Sequence, residues 1–351
     1  MSDKPISPLR QRMIDDITAR RSTFVRSPPF RDDRAHRLPQ GALAQRSMQG
    51  GVLEAVRSDA PWRGCLGAIE HGMHMRTWRQ APILHGDHGF ISRGLSQMNI
   101  SGNTILIAGG GSGIGRALAE AFHAKGNQVI VAGRRPGALD ETTAANPGMR
   151  SAVLDIEDRD AIPAFAARIA AEFPTLNVLV NNAGIMRRET LTASPVDLAT
   201  AEATVATNLL GPIRLTAAFL PHLRRQPGAT VLMVSSGLAF VPIAITPTYC
   251  ATKAAIHSYS QSLRWQLRDS NVEVLELAPP YVQTELMGPD QKTDLRALPL
   301  NDFIAETMSI LETRPDAGEI LVERVRPQRL AESSGNYDEL YKARNEMWKE
   351  T

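Results

Sequence analysis

From residue 103 onward, short apolar runs alternate with stretches of helical period. Residues 103–108 (NTILIA) are apolar and rich in β-branched side chains, which predicts a buried strand. A glycine cluster, Gly109-Gly110-Gly111-Ser112-Gly113-Ile114-Gly115, comes directly after it. Residues 116–125 then put Ala117, Leu118, Ala121 and Phe122 on one stripe, predicting a helix that Gly126-Asn127 closes. Further strands are predicted over 128–132, 151–154, 178–180, 230–235 and 272–277, with 319–325 a weaker candidate. Helices are predicted over 159–172, over 195–225 with a dip at Gly211-Pro212, and over 248–269. Strand and helix alternating over about 230 residues imply a parallel sheet covered on both faces. No internal repeat of fixed period is visible.

Before residue 98 the pattern is different. No helical or alternating period persists between Arg20 and Gln97, and Pro28-Pro29, Pro39, Gly50-Gly51 and Pro61 interrupt every candidate element. Residues 1–97 carry 15 Lys+Arg against 9 Asp+Glu, leaving 24 against 28 for the rest of a chain whose totals are 39 and 37. The expected organisation is a poorly ordered basic extension over 1–97, a catalytic domain over 98–330 and a helical tail over 331–351. The tail is read as an amphipathic helix over 337–349 that packs on the core or on a partner. His71/His74 and His85/His88 have the spacing of metal ligands, but neither cysteines nor a helical frame accompany them, so no metal is expected.

Composition narrows the function classes. Hydrophobic residues make up 43% and charged residues 22% of 351, an ordinary globular balance. A net charge of +2 gives no reason to expect nucleic acid or acidic lipid as the main partner. Asp32, Asp33, Glu54 and Asp59 break up the arginines of the extension, so a DNA-binding arm is kept only as a rival reading. The longest uncharged stretch, 226–252, contains three prolines and is not read as a membrane span. No secretory h-region opens the chain, which places it in the cytoplasm by default. Cys65 and Cys250 cannot form a disulfide framework.

The glycine cluster sits between a strand and a helix, with a second strand beyond. A dinucleotide pyrophosphate needs such a tight turn, a close backbone approach and a helix N-terminus aimed at its charge. Gly109, Gly111, Ser112, Gly113, Ile114 and Gly115 are therefore candidate cofactor-binding residues. The second strand ends Gly133-Arg134-Arg135, with no acidic residue to grip ribose hydroxyls. Arg134 suits a 2′-phosphate instead, so NADP(H) is favoured, with NAD(H) as the alternative.

Tyr249-Cys-Ala-Thr-Lys253 opens the long helix. Residues at i and i+4 share a face, and a neighbouring ammonium favours a phenolate. Ser235-Ser236 ends a strand shortly before, and Asn208 lies in the helix between Asn181-Asn182-Ala183-Gly184 and that strand.

From Met98 to about residue 330 the chain resembles the short-chain dehydrogenases/reductases. AGGGSGIG (108–115), Asp155, NNAG (181–184), Asn208, Ser236, YCATK (249–253) and PPYVQT (279–284) carry the resemblance in order and spacing. APPYVQTEL (278–286) resembles a bacterial subgroup of DltE-type oxidoreductases. The resemblance implies a three-layer α/β, doubly wound Rossmann-type sheet and hydride transfer between a nicotinamide and an alcohol or carbonyl compound. It implies that Tyr249 is the acid/base and that Ser236 hydrogen-bonds the reacting oxygen. Lys253 would bind the nicotinamide ribose and depress the tyrosine pKa, and Asn208 would hold a relay water. Asp155 would contact the adenine, Asn182, Ala183 and Gly184 the middle of the cofactor, and Thr284 the carboxamide. A homodimer or homotetramer is implied, and no metal. Two departures stand out: Ala108 where the family has threonine, and Pro280 where it has glycine. The first twenty residues, separately, resemble the start of a tyrosine recombinase, in which case Met98 is the ancestral start of the catalytic domain.

A substrate lid is expected between Thr284 and about Pro315. Leu286, Met287, Leu295, Leu298, Leu300 and Phe303 make it apolar, through substrate contact or through core packing. His257, one turn beyond Lys253, is read as packing or surface. The rival function is a cofactor-sensing regulator on the same fold; intact Ser236, Tyr249 and Lys253 together speak for chemistry.

Overall fold

The computed structural model describes residues 98–313 and 318–349. The histidine pairs, the basic extension and the recombinase-like start lie outside the described residues. Seven parallel strands form one sheet in the order β3-β2-β1-β4-β5-β6-β7. They are β1 (Thr104–Ala108), β2 (Gln128–Gly133), β3 (Arg150–Val153), β4 (Leu176–Asn181), β5 (Ala229–Val234), β6 (Val272–Leu277) and β7 (Glu319–Ile320). The strand order runs outward in one direction from β1 and in the other from β4. The ends of β1 and β4 therefore diverge, as ligand clefts of such sheets require.

Helices cover both faces. On one side lie α1 (Gly113–Ala124), α2 (Pro136–Ala145) and α7 (Leu300–Thr313). On the other lie α3 (Ala161–Glu172), α4 (Ala199–Val205), α5 (Gly211–Leu223) and α6 (Pro247–Leu267). Alternate strand residues feed the two cores: Leu106, Ile130 and Leu179 meet Phe165 and Phe219, while Ile105, Val129 and Val178 meet Leu118, Phe122 and Phe303. That is the side-chain alternation of a strand buried on both faces. Ala199–Leu223 is one helical run among the described residues long and apolar enough, by length and composition, to cross a membrane. Here its apolar side faces the sheet, with Phe219 edge-on to Phe165 at 6.3 Å.

Sequence and structure differ in several elements, the helix α7 within the expected lid among them. Helix α2, opened by Pro136 at its first turn, carries almost no apolar stripe and gave no periodic signal. The predicted strand over 319–325 contracts to two residues, because a 3₁₀ turn at Glu323–Val325 redirects the chain into α8 (Arg326–Arg329). The dip at Gly211-Pro212 is a five-residue π turn, Ala206–Leu210, between α4 and α5. The tail helix α9 (Tyr337–Met347) packs on the core: Ala244 N donates to Asn345 Oδ1 at 2.6 Å, and Asn345 Nδ2 donates to Pro242 O at 3.3 Å.

Candidate active site

The glycine turn is built where only glycine fits. Gly109 has φ +76°, and a Cβ there would lie 2.7 Å from Ala183 Cα. A Cβ on Gly115 would lie 2.2 Å from Gly109 O and 2.3 Å from Asn182 Nδ2. The turn hangs from Ala132 O through Gly109 N at 2.7 Å, and Asn182 Nδ2 donates to Gly109 O at 3.1 Å. These bonds hold the turn although Ala108 offers no hydroxyl. Ser112 precedes α1 without capping it through its side chain, so first-turn N–H groups remain available to an anion.

The turn opens onto a cleft of about 880 Å³. Its lining includes Gly109, Gly111, Ser112, Gly113 and Ile114 at one end and Ser236, Tyr249 and Lys253 at the other. Asn182, Ala183, Gly184 and Thr284 line the stretch between them. Gly115 lies behind the turn, where it permits the close packing. Arg134 and Arg135 both face the cleft. Arg134 is ion-paired to Glu157 at 2.9 Å, whereas Arg135 Nη2 reaches across to donate to Ser112 Oγ at 2.9 Å. Arg135 thus stands closer to the glycine turn than the expected Arg134. Leu154 and Ile156 line the cleft, but Asp155 between them is exposed, and its carboxylate accepts from Glu157 N at 3.0 Å.

At the other end, Tyr249 and Lys253 project from the first turns of α6 and both are buried. Lys253 Nζ donates to Val234 O at 2.8 Å and lies 5.6 Å from the centroid of the Tyr249 ring. Burial lowers the Lys253 pKa to about 8, partly offset by Glu276. Burial raises the Tyr249 phenol above its ordinary value, with the Ser236 hydrogen bond opposing. The expected depression of the phenol by Lys253 is not what sets its pKa here; burial is the largest cause and the Ser236 hydrogen bond is what opposes it. Ser236, at the end of β5, accepts from Leu238 N at 3.1 Å. Asn208 sits in the π turn; its Oδ1 accepts from Ile185 N and its Nδ2 donates to Ile185 O, both at 2.8 Å. The wider turn sets Asn208 inward, toward the chain leaving β4. Beside Pro280, Pro279 O accepts from Gly237 N at 2.8 Å and so ties the strand exit to the Ser236 segment.

His257 is more than packing. It lies on the Tyr249–Lys253 face of α6, and its Nδ1 is 2.9 Å from Oε2 of the fully buried Glu276. Ser235 Oγ donates to the same carboxylate at 2.5 Å. Among the described residues, His257, Glu276 and Glu319 bring potential metal-ligating atoms within 4.8 Å of one another. Arg329, bonded to both oxygens of Glu319, already supplies a cation there.

The lid divides by role. Leu286, Met287 and Leu300 line the cleft, Phe303 is core, Leu298 packs against the core, and Leu295 is 93% exposed. Among the cleft residues that went unrecognised in the sequence are Gln328, Arg344 and Trp348. They come from α8, α9 and the residue that closes α9, and no local pattern marks them.

Known proteins share this fold. Residues 103–295 match the short chain dehydrogenase family. The chain is 39% identical over 251 residues to an uncharacterized oxidoreductase DltE of Bacillus subtilis, covering 71% of this chain and 98% of that protein. A solved short-chain dehydrogenase from Streptomyces avermitilis superposes with a TM-score of 0.60 at 27% identity, over 70% of this chain and 97% of that one. A short chain dehydrogenase from Burkholderia cenocepacia, solved in complex with NADP, shares the fold with a TM-score of 0.59 at 23% identity, covering 71% and 99%.

Proposed function

Because the chain belongs to the short chain dehydrogenase family and is similar to an oxidoreductase over nearly that protein's whole length, we propose that it transfers hydride between NADP(H) and an alcohol or carbonyl substrate. The observation that carries this reading is the convergence of Tyr249, Lys253 and Ser236 on a cleft whose far end is a glycine turn. The residues fit a dinucleotide: Gly109 and Gly115 let the turn close tightly on Ala183 and Asn182, where a Cβ would collide, and α1 aims uncapped N–H groups into the cleft. Gly109–Gly115 would hold the pyrophosphate, Leu154 and Ile156 the adenine, Asn182–Gly184 the middle, and Thr284 the carboxamide. Asp155, expected at the adenine, has no part in this assignment. Arg134 and Arg135, with no carboxylate at the end of β2, support a 2′-phosphate and so NADP(H) over NAD(H).

The nicotinamide, when bound, supplies or takes the hydride at the substrate carbon. In the reductive direction Tyr249 Oη gives its proton to the carbonyl oxygen as the alkoxide forms. Ser236 Oγ donates to that oxygen and fixes its position. Lys253, held by Val234 O beneath the ring, stabilises the phenolate left behind and re-protonates it. Asn208 keeps the Ile185 segment in place and is assigned to the relay water. In the oxidative direction the same groups run in reverse. Residues 98–349 form the catalytic unit in this reading, with the tail completing the cleft. Exposed Trp265 on α6 and Leu210 beside α5 support pairing with a second copy across these helices. Because the reading uses the intracellular NADP(H) pool, it places the protein in the cytoplasm.

Tyr249→Phe is the test. It is expected to lower carbonyl reduction by about 10²–10⁴-fold while NADPH binding persists. Undiminished turnover sinks the assignment. Intact NADPH binding with no turnover of any carbonyl or alcohol by the parent protein favours the cofactor-sensing regulator.

A further inference from the structure

The substrate end of the cleft holds a cation, Arg344, that no anion among the described residues balances. Arg344, in the last turn of α9, lines the cleft beside Gln328 and Trp348. With the Gln328 amide oxygen facing it, Arg344 donates through Nη2 at 3.1 Å and Nη1 at 3.3 Å. Arg344 Nε is buried without a hydrogen-bond partner. Among the described residues, no carboxylate forms an ion pair with it. Glu346 is paired with Lys349, Glu319 with Arg329, and Glu276 with His257 and Ser235. Cys250 interacts with Arg344 electrostatically, but burial pushes the thiol pKa up, so it is neutral and supplies no counter-charge. Burial likewise works against the Arg344 charge, yet a guanidinium keeps its proton in proteins. Arg344 is half-buried with its Nε shut off from solvent, and a charge so placed without an opposite partner is only partly offset by a neutral amide oxygen.

Arg344 also stands one side chain from the chemistry. Gln328 presses on Gly237, where a Cβ would lie 2.6 Å from the amide, and Gly237 directly follows Ser236. The wall between is apolar: Met186, Leu238, Ile243 and Tyr281, with Trp348 edge-on to Tyr281 at 5.3 Å. We propose that Arg344 is the subsite for a substrate carboxylate, so that the substrate is an oxo acid or hydroxy acid whose apolar chain crosses this wall. A carboxylate matches the single charge and the planar fork of one guanidinium. A phosphate monoester carries nearly two charges, while Arg187 is exposed and Arg296, stacked over Trp348 at 5.0 Å, is already paired with Asp294 at 2.7 Å.

The inference rests on the carbonyl reading of the cleft, and the test separates the two. The full chain with NADPH is offered straight-chain oxo acids, their methyl esters and the corresponding oxoalkyl phosphates. The best oxo acid is expected to exceed its ester in kcat/KM by about tenfold or more. Arg344→Gln is expected to raise KM for the acid and bring that ratio toward one, while Arg344→Lys retains part of the preference. An ester reduced as well as its acid, a preference for the phosphate, or a ratio that survives Arg344→Gln overturns the proposal. If NADPH binds but none of the three classes is reduced, the carbonyl reading fails, and the subsite is judged by melting temperature instead. Hexanoate added to the NADPH complex should then raise the Tm of the parent protein and not that of Arg344→Gln; equal shifts overturn the subsite too.

Discussion

At the scale of single residues, the catalytic pair sits in a tension between burial and charge. Tyr249 is held protonated by desolvation, and Lys253 is brought to about 8 by the same cause. These two shifts fix the sign of the pH dependence. Carbonyl reduction needs the protonated phenol, which is fully present at neutral pH. Alcohol oxidation needs the phenolate, whose fraction grows with every step toward alkaline pH. Initial rates in the two directions should therefore diverge: kcat/KM for oxidation rises steadily from pH 7 to 10, while reduction holds or falls once Lys253 loses its proton near 8. A bell centred near neutrality for oxidation would contradict this assignment. The spacing Tyr249–Lys253 was legible because one helical turn is a local rule. The direction of the phenol shift was not, since it depends on how deeply α6 seats against β5.

At the scale of elements, the site hangs on irregularities. The π turn between α4 and α5 lets Asn208 satisfy both the N–H and the C=O of Ile185. Asn208→Ala leaves those two groups without their side-chain partner in a half-buried segment, a loss of about 1–3 kcal/mol per unsatisfied group. Thermal or urea unfolding should register that loss, and turnover should fall as the chain after β4 loosens. A variant as stable and active as the parent would deny Asn208 that positioning role. The helix was expected from its apolar period, but a π turn leaves no signature in residues 206–210 beyond the Gly211-Pro212 that succeeds it. Helix α2 was missed for the opposite reason: its exposed face and weak stripe offer nothing for a periodicity argument to hold. The strands β1 and β2 were plain because burial on both faces demands continuous apolar runs.

At the scale of the whole molecule, the tail closes what the sheet opens. Ala244 and Asn345 are 101 residues apart yet hydrogen-bonded, and this return brings Gln328, Arg344 and Trp348 to the substrate end. No local reading of residues 326–349 could anticipate it, because α9 has no fully buried side chain of its own and is positioned by long-range contacts. The basic segment 1–97 has no role in the proposed chemistry. A chain beginning at Met98 should keep the parent's oligomeric state in sedimentation and its carbonyl reductase rate, and the full chain should not be retained on DNA. Retention of the full chain, lost on that deletion, would restore the rival reading of a nucleic-acid arm. Met98 itself is anchored, its N–H donating to Glu273 Oε2 at 3.0 Å.

The central claim is a working NADP(H) cleft, and titration of the full chain with NADPH and NADH, monitored by nicotinamide fluorescence, tests it most directly. Saturable binding with NADPH preferred is the expected result, and Arg135→Asp, more than Arg134→Asp, should remove that preference. Failure to bind either nucleotide, by the full chain and by residues 98–351 alike, would contradict the claim.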